Sequence, residues 1–265
     1  MSDQGTKDDP ILLITDAAGV RTLTLNRPKA RNALSVGLMA ALQEALNQAR
    51  EDESVKVVVL AANGPAFCAG HDLKEVRATP TRDAYETLFK QCSELMTSIV
   101  RLPKPVIAKV HAMATAAGCQ LVASCDLAVA AKDARFATPG VNIGLFCSTP
   151  MVALSRNVPR KKAMEMLLTG HPISAEEALA HGLLNTVVEA DALDSTVAAL
   201  AETIASKSPL TLAIGKEAFY RQLEMPLDEA YLYASEVMTR NMMARDAEEG
   251  IDAFLSKRAP SWTGR

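Results

Sequence analysis

Aromatic residues are scarce in this chain, with one Trp, four Tyr and six Phe among 265 residues. Its core must therefore be filled by aliphatic side chains and alanine more than by packed rings. Charge of one sign is also missing: 28 Lys and Arg stand against 31 Asp and Glu, a formal net charge of -3. That balance gives no electrostatic footprint for nucleic acid or an anionic membrane, while leaving room for a local basic site for a nucleotide phosphate. No apolar run approaches the roughly 20 residues that span a bilayer. The cysteines, Cys68, Cys92, Cys119, Cys125 and Cys147, are odd in number and lack zinc-type spacing. They read as free thiols in a reducing compartment. No His, Asp, Glu and Cys grouping justifies a metal site. The start of the chain, Met1–Pro10, has neither a basic opening nor an apolar stretch, which argues against a secretory signal; its acidic content argues against a mitochondrial transit peptide. The expected location is the cytoplasm.

The chain does contain an ordinary balance of 49% hydrophobic and 22% charged residues, arranged as alternating strand and helix signals. Residues 1–10 are polar and read as irregular. Residues 11–15 and 20–25 are β-prone runs around Ala18-Gly19, a hairpin signal. Ser35 caps an expected helix with Leu38, Leu42, Ala45, Leu46 and Ala49 on one face. Residues 55–61 and 105–110 read as strands buried on both faces. Between them lie a glycine-containing loop over 64–72 and a long helix from Asp83 carrying Leu88, Cys92, Leu95, Met96 and Ile99. Residues 116–123 read as a short apolar helix and 127–130 as a strand. The alternation implies a layered α/β architecture. The later half turns helical: 161–169 ending at Gly170, a capping box at Ser174-Ala-Glu-Glu177, a further strand over 184–188, and four more helices between 194 and 255. No internal repeat or low-complexity linker divides the chain. The reading is one α/β core over 1–190 with a helical region over 191–265.

Two loops carry chemistry. One is Ala66-Phe67-Cys68-Ala69-Gly70-His71-Asp72-Leu73; the other, Ala114-Thr115-Ala116-Ala117-Gly118-Cys119-Gln120-Leu121, enters a helix directly after a buried strand. Small residues at such a turn let a ligand approach main-chain amides, which a helix N-terminus makes electropositive. Two amides aimed at one oxygen stabilise developing enolate or tetrahedral charge. Tight helix–sheet packing explains the same composition, so neither loop decides the matter alone.

Their order and surroundings do more. With Asn26-Arg27-Pro28-Lys29-Ala30-Arg31-Asn32-Ala33-Leu34-Ser35, Pro103-Lys104-Pro105-Val106-Ile107-Ala108, Cys125-Asp126-Leu127 and the stretch from Leu168 to Ala178, the chain resembles the crotonase (enoyl-CoA hydratase/isomerase) family from about residue 11 to its end. The resemblance implies a spiral of ββα units, trimers or dimers of trimers completed by C-terminal helices, and an acyl-CoA or enoyl-CoA thioester as ligand. Coenzyme A would be part of that substrate, with no separate cofactor. By position it implies that the thioester carbonyl sits between the amides of His71 and Ala117, the latter standing where glycine is usual. It places the adenine end near Lys29, Ala30, Ala69 and Gly70, with Lys257 approaching a CoA phosphate, including from a neighbouring subunit.

The resemblance thins where the acids belong. Family hydratases carry glutamates at the positions of Gln120 and Gly140, which hold water and move a proton. Glutamine positions water without accepting its proton, and glycine has no side chain. The segment Leu145-Phe146-Cys147-Ser148-Thr149-Pro150 also departs from the family's glycine-rich stretch. Among substitutes, His71 contributes its amide more readily than its ring. Asp72 reads as a cap, Glu75 as a residue within reach of the pocket, and His111 and Asp126 as structural partners. Cys68 and Cys119 read as packed small residues; Cys147 and Ser148 act as nucleophiles only beside a base. The expected protein is enoyl-CoA hydratase-like, a lyase of fatty acid metabolism whose ordinary hydration is in doubt. The alternatives are an acyl-CoA decarboxylase or thioesterase, and a non-catalytic acyl-CoA-binding or assembly subunit.

Overall fold

The structure is a computed structural model describing residues 10–265; the irregular stretch expected over 1–10 lies, up to residue 9, outside the described residues. The chain opens with β1 (Leu12–Ala17) and β2 (Val20–Leu25), an antiparallel hairpin in which Ala17 pairs with Val20. Its two turn residues, Ala18 and Gly19, hold φ at 50° and 79°, the left-handed pair that matches strand twist in a two-residue hairpin. Helix α1 (Val36–Glu51) follows, capped by Ser35, whose side chain accepts from the Leu38 N–H, and it buries Leu38, Leu42, Ala45, Leu46 and Ala49 as its periodicity requires.

Three turns of a spiral come next. Each consists of a strand in a large sheet, a short strand in a small sheet, and a return through helix. The first is β3 (Val57–Ala62), β4 (Ala66–Cys68), α2 (Leu73–Ala78) and α3 (Arg82–Val100). The second is β5 (Val106–Val110), β6 (Met113–Thr115) and α4 (Ala117–Ser124). The third is β7 (Leu127–Ala131), β8 (Arg135–Ala137), then α5 (Pro150–Asn157) and α6 (Arg160–Thr169). After β9 (Ile173–Ser174), α7 (Ala175–Ala180) and β10 (Thr186–Val188), the large sheet runs β1-β2-β3-β5-β7-β10 and the small one β4-β6-β8-β9. Strands β2 to β10 of the large sheet are parallel. This is the expected spiral of ββα units.

The described residues correct the loop expected over 64–72, which contains β4. They also add β6 and β8, each three residues long. Runs that short show no alternation, so their pairing comes from the larger strands that lead into them.

Four helices close the chain: α8 (Leu193–Ala205), α9 (Pro209–Gln222), α10 (Leu227–Met242) and α11 (Arg245–Leu255). Helix α8 is part of the core, since Leu193, Val197, Ala201 and Ala205 cover the outer face of Val57, Val59, Ile107 and Val129. Helix α9 is pinned through Lys216. Its Nζ donates to Asp126 Oδ2 at 2.6 Å and to the Ile99 and Lys104 carbonyls, while Tyr220 donates to Asp126 Oδ1 at 2.9 Å. No single helix among the described residues is long and apolar enough to cross a membrane.

Candidate active site at the β4–α2 and β6–α4 turns

The two singled-out loops meet at the C-terminal edge of the small sheet. Cys68 of β4 pairs with Ala114 of β6, and Phe136 of β8 pairs with the same Ala114 on its other side. Past β4, the chain bridges to Leu34: the Leu34 N–H donates to the Gly70 carbonyl at 2.7 Å, and the Asp72 N–H donates to the Leu34 carbonyl at 3.1 Å. In a parallel bridge of this kind the intervening residue turns its own N–H to the opposite edge. The His71 N–H therefore points away from Leu34, toward the side on which β6 and α4 lie. Gly70 makes the approach possible: its φ is +89°, and a Cβ built there would lie 2.9 Å from Ala116 Cβ and 3.4 Å from the Ala117 nitrogen.

Ala117 is the first residue of α4 and its N–H is one of the helix's uncompensated donors. Among the described residues neither the His71 nor the Ala117 N–H has a hydrogen-bond acceptor. Ala117 is buried, so that donor is withheld from water as well. Helix α4 is held close to β4 by Gly118, where any Cβ would come within 2.2 Å of the Cys68 carbonyl oxygen. The turn into α4 is made by Ala116, at φ 50° and ψ -118°, a conformation that favours glycine.

The remaining candidates separate. Gln120 is 4% exposed, and its Oε1 accepts from Cys92 Sγ on α3 at 3.9 Å. The His71 ring packs edge-on against Phe89, 5.8 Å between centroids, and both ring nitrogens are buried without a partner. Burial lowers its pKa below the ordinary imidazole value. Glu75 is committed elsewhere: Oε2 accepts from the Val36 N–H at 2.9 Å and caps α1. Asp72 pairs with Arg27 at 2.9 Å and caps α2 through the Lys74 N–H. His111 Nε2 contacts the Gly64 carbonyl at 2.7 Å, and Asp126 serves Lys216, Tyr220 and the Val106 N–H. Burial pushes the Cys68 and Cys119 thiols up to about 12 and raises Cys147 as well. No thiolate is poised to attack. Ser148 Oγ reaches only the Phe146 carbonyl, at 3.4 Å.

Gly140 occupies a filled place. A Cβ there would lie 2.7 Å from the Leu145 carbonyl oxygen and 2.9 Å from Cys147 Sγ, and the Leu145 N–H donates back to the Gly140 carbonyl at 2.9 Å. The divergent segment after 144 thus folds over the space a side chain at 140 would take. Residue identity alone did not reveal this closure.

Of the nucleotide-side candidates, four are brought together. Lys29 and Ala30 form a 3-10 turn (Pro28–Ala30) with Lys29 exposed. The turn is stitched to the site by the Ala69 N–H, which donates to the Arg31 carbonyl at 3.1 Å. Ala69 thereby spends its amide on the fold, while Gly70 lies beneath Ala116. Lys257 is not joined to this cluster: it follows α11 at φ 52°, with its N–H on the Phe254 carbonyl at 3.2 Å. Among the described residues no group of three or more His, Cys, Asp or Glu is placed to hold a metal ion.

The sequence profile of the family described as "Enoyl-CoA hydratase/isomerase" matches residues 15–265. The chain is 48% identical over 98% of its length, and 87% of the relative's, to "Enoyl-CoA hydratase domain-containing protein 3, mitochondrial" of Rattus norvegicus. A crystal structure of enoyl-CoA hydratase from Mycobacterium smegmatis superposes with a TM-score of 0.94 at 58% identity, covering 96% of this chain and 99% of that one. The structure of human enoyl Coenzyme A hydratase domain-containing protein 3 superposes with a TM-score of 0.93 at 49% identity, covering 96% and 100%. The vertebrate relatives carry "mitochondrial" in their names, which overturns the expectation of a cytoplasmic location. The free thiols behind that expectation report a reducing environment that more than one compartment provides, and the composition of residues 1–10, read against a transit peptide, did not decide the location. A profile match over nearly the whole chain, on a spiral of three ββα turns, makes this protein a member of the enoyl-CoA hydratase/isomerase, or crotonase, family.

Proposed function

We propose that the chain binds acyl-CoA and enoyl-CoA thioesters with the carbonyl oxygen between the His71 and Ala117 amides, and that it hydrates them poorly. The observation that carries this reading is the pair of N–H donors left without acceptors where Gly70 meets the start of α4. Two fixed donors in a site screened from water polarise a thioester and stabilise charge that develops on its oxygen. The second half rests on Gln120 and Gly140, which stand where family hydratases carry glutamates. Gln120 orients water or the acyl group through its amide but cannot take a proton, and Asp72 and Glu75 of the same loop region are engaged elsewhere.

Lys29, Ala30, Ala69 and Gly70 form the side of the site assigned to the nucleotide end of CoA. Lys257 belongs to it in an assembly where a neighbouring subunit brings it near. A trimer or dimer of trimers is supported by the apolar side chains the C-terminal helices leave bare, among them Phe254 at 81% and Leu255 at 72% exposure.

The test compares hydration of trans-2-butenoyl-CoA by the purified protein and by Gln120→Glu. Restoring one acid should raise kcat/KM at least about tenfold, the low end of general acid–base effects. Brisk hydration by the wild type, unchanged by that substitution, would show that proton transfer does not depend on position 120.

A further inference from the structure

We infer that Cys92 is a positioning residue of this site: its thiol engages the side-chain oxygen of Gln120 and leaves the Gln120 NH2 turned to the ligand. The site is thereby suited to thioesters that carry a neutral acceptor oxygen on the acyl group, as a 3-oxoacyl-CoA does; the inference rests on the thioester-binding reading above. Cys92 is 0% exposed, and its Sγ donates from α3 to Gln120 Oε1 at 3.9 Å. Burial pushes that thiol up to about 11, so it stays protonated and meets an acceptor. A thiol sulfur itself accepts poorly, which turns the oxygen end of the amide to α3 and the nitrogen end away from it. Among the described residues Nε2 has no acceptor. The polar side-chain atoms that are both enclosed and unpartnered are the His71 ring nitrogens and Thr138 Oγ1, so Nε2 is not sealed in.

Helix geometry says where Nε2 is directed. Gln120 lies three residues after Ala117 on the same face of α4, about 4.5 Å along its axis. Side chains on a helix lean toward its N-terminus, so the Gln120 amide leans toward the free Ala117 N–H. Helix α3 backs the same place with a second residue. Phe89, three positions before Cys92 and on the same face, packs on the His71 ring with 5.8 Å between centroids. One stripe of α3 thus touches His71 through Phe89 and Gln120 through Cys92. A thioester whose carbonyl lies at the two amides brings the first carbons of its acyl group beside the Gln120 amide.

An amide NH2 donates and does not accept, so its complement on the ligand is an acceptor. The surroundings favour a neutral one: Gln120 is uncharged, and the Arg27 guanidinium of the neighbouring loop is paired with Asp72 at 2.9 Å. A carboxylate on the acyl group would enter without a counter-charge. The ketone oxygen of a 3-oxoacyl thioester meets no such penalty.

Calorimetric titration with three CoA esters reads which end of the Gln120 amide meets the ligand. Butyryl-CoA offers nothing at its β-carbon, acetoacetyl-CoA an acceptor and β-alanyl-CoA a donor. Wild type should bind acetoacetyl-CoA about tenfold tighter than butyryl-CoA, the effect of one hydrogen bond, and β-alanyl-CoA no tighter than butyryl-CoA. Cys92→Ala frees the amide to turn over and should cut the acetoacetyl preference to about threefold or less; Cys92→Ser keeps a donor and should retain it. A cysteine that only fills the core would, on truncation, weaken both esters equally. Such equal weakening, a preference unchanged in Cys92→Ala, a preference lost from Cys92→Ser as well, or a wild type that favours β-alanyl-CoA would overturn the inference. A wild type that binds butyryl-CoA without favouring acetoacetyl-CoA defeats this inference alone, whereas one that binds none of the esters defeats the thioester reading too.

Discussion

Ala116 holds a conformation, φ 50° and ψ -118°, in which a Cβ crowds its own backbone at a cost of order 1–3 kcal/mol. The turn survives because the Ala137 carbonyl, β6 and α4 fix it from both sides, and it aims the Ala117 N–H. Ala116→Gly should therefore stabilise the protein by about 1 kcal/mol in urea denaturation, relief of strain outweighing the added freedom of the unfolded chain; a loss of stability would mean that this turn is not strained. Gly140 shows the opposite constraint. Because Leu145 and Cys147 crowd its missing side chain, Gly140→Glu should lower stability by about 1–3 kcal/mol without increasing hydration, even beside Gln120→Glu. A gain in turnover with unchanged stability would show that the segment after 144 opens readily. The sequence announces the departure at 140, a glycine for an acid, and nothing in it marks Ala116. Neither the strain at 116 nor the occlusion at 140 is legible there, because both come from chain segments that only folding brings close.

The elements carried by periodicity were readable in advance. Leu38, Leu42, Ala45, Leu46 and Ala49 on α1, and Leu88, Cys92, Leu95, Met96 and Ile99 on α3, are buried as their helical spacing indicates, and Ser174 and Glu177 form the expected capping box. The short strands β4, β6 and β8 were not, although they build the site's edge, since three residues carry no period. Asp126 was read as a structural partner, and it is one: it joins α9 to the β5–β7 region through Lys216, whose pKa is lowered by burial and supported by the Asp126 charge. Asp126→Asn would leave the buried ammonium without its counter-charge and should cost about 3–5 kcal/mol of stability, measured by denaturant titration. A loss below about 1 kcal/mol, the value of an exposed pair, would show that water reaches Lys216.

At the scale of the molecule, the three ββα turns repeat a backbone path and not a sequence. Val57–Ala62 with Ala66–Cys68, Val106–Val110 with Met113–Thr115, and Leu127–Ala131 with Arg135–Ala137 share little beyond small apolar side chains. That is why no internal repeat shows in the chain, and why the resemblance of its loop motifs to a family revealed the spiral when periodicity did not. On the function proposed above, the spiral brings the His71 and Ala117 amides to one thioester oxygen with no free carboxylate beside them to relay a proton. Infrared difference spectroscopy of trans-2-butenoyl-CoA carrying 13C at its carbonyl, bound to the wild-type protein, tests both halves at once. The carbonyl band of the bound ester should lie at lower wavenumber and persist while the enoyl ester is only slowly consumed. A band at its solution position, or rapid replacement by the signal of the 3-hydroxy ester, would contradict it.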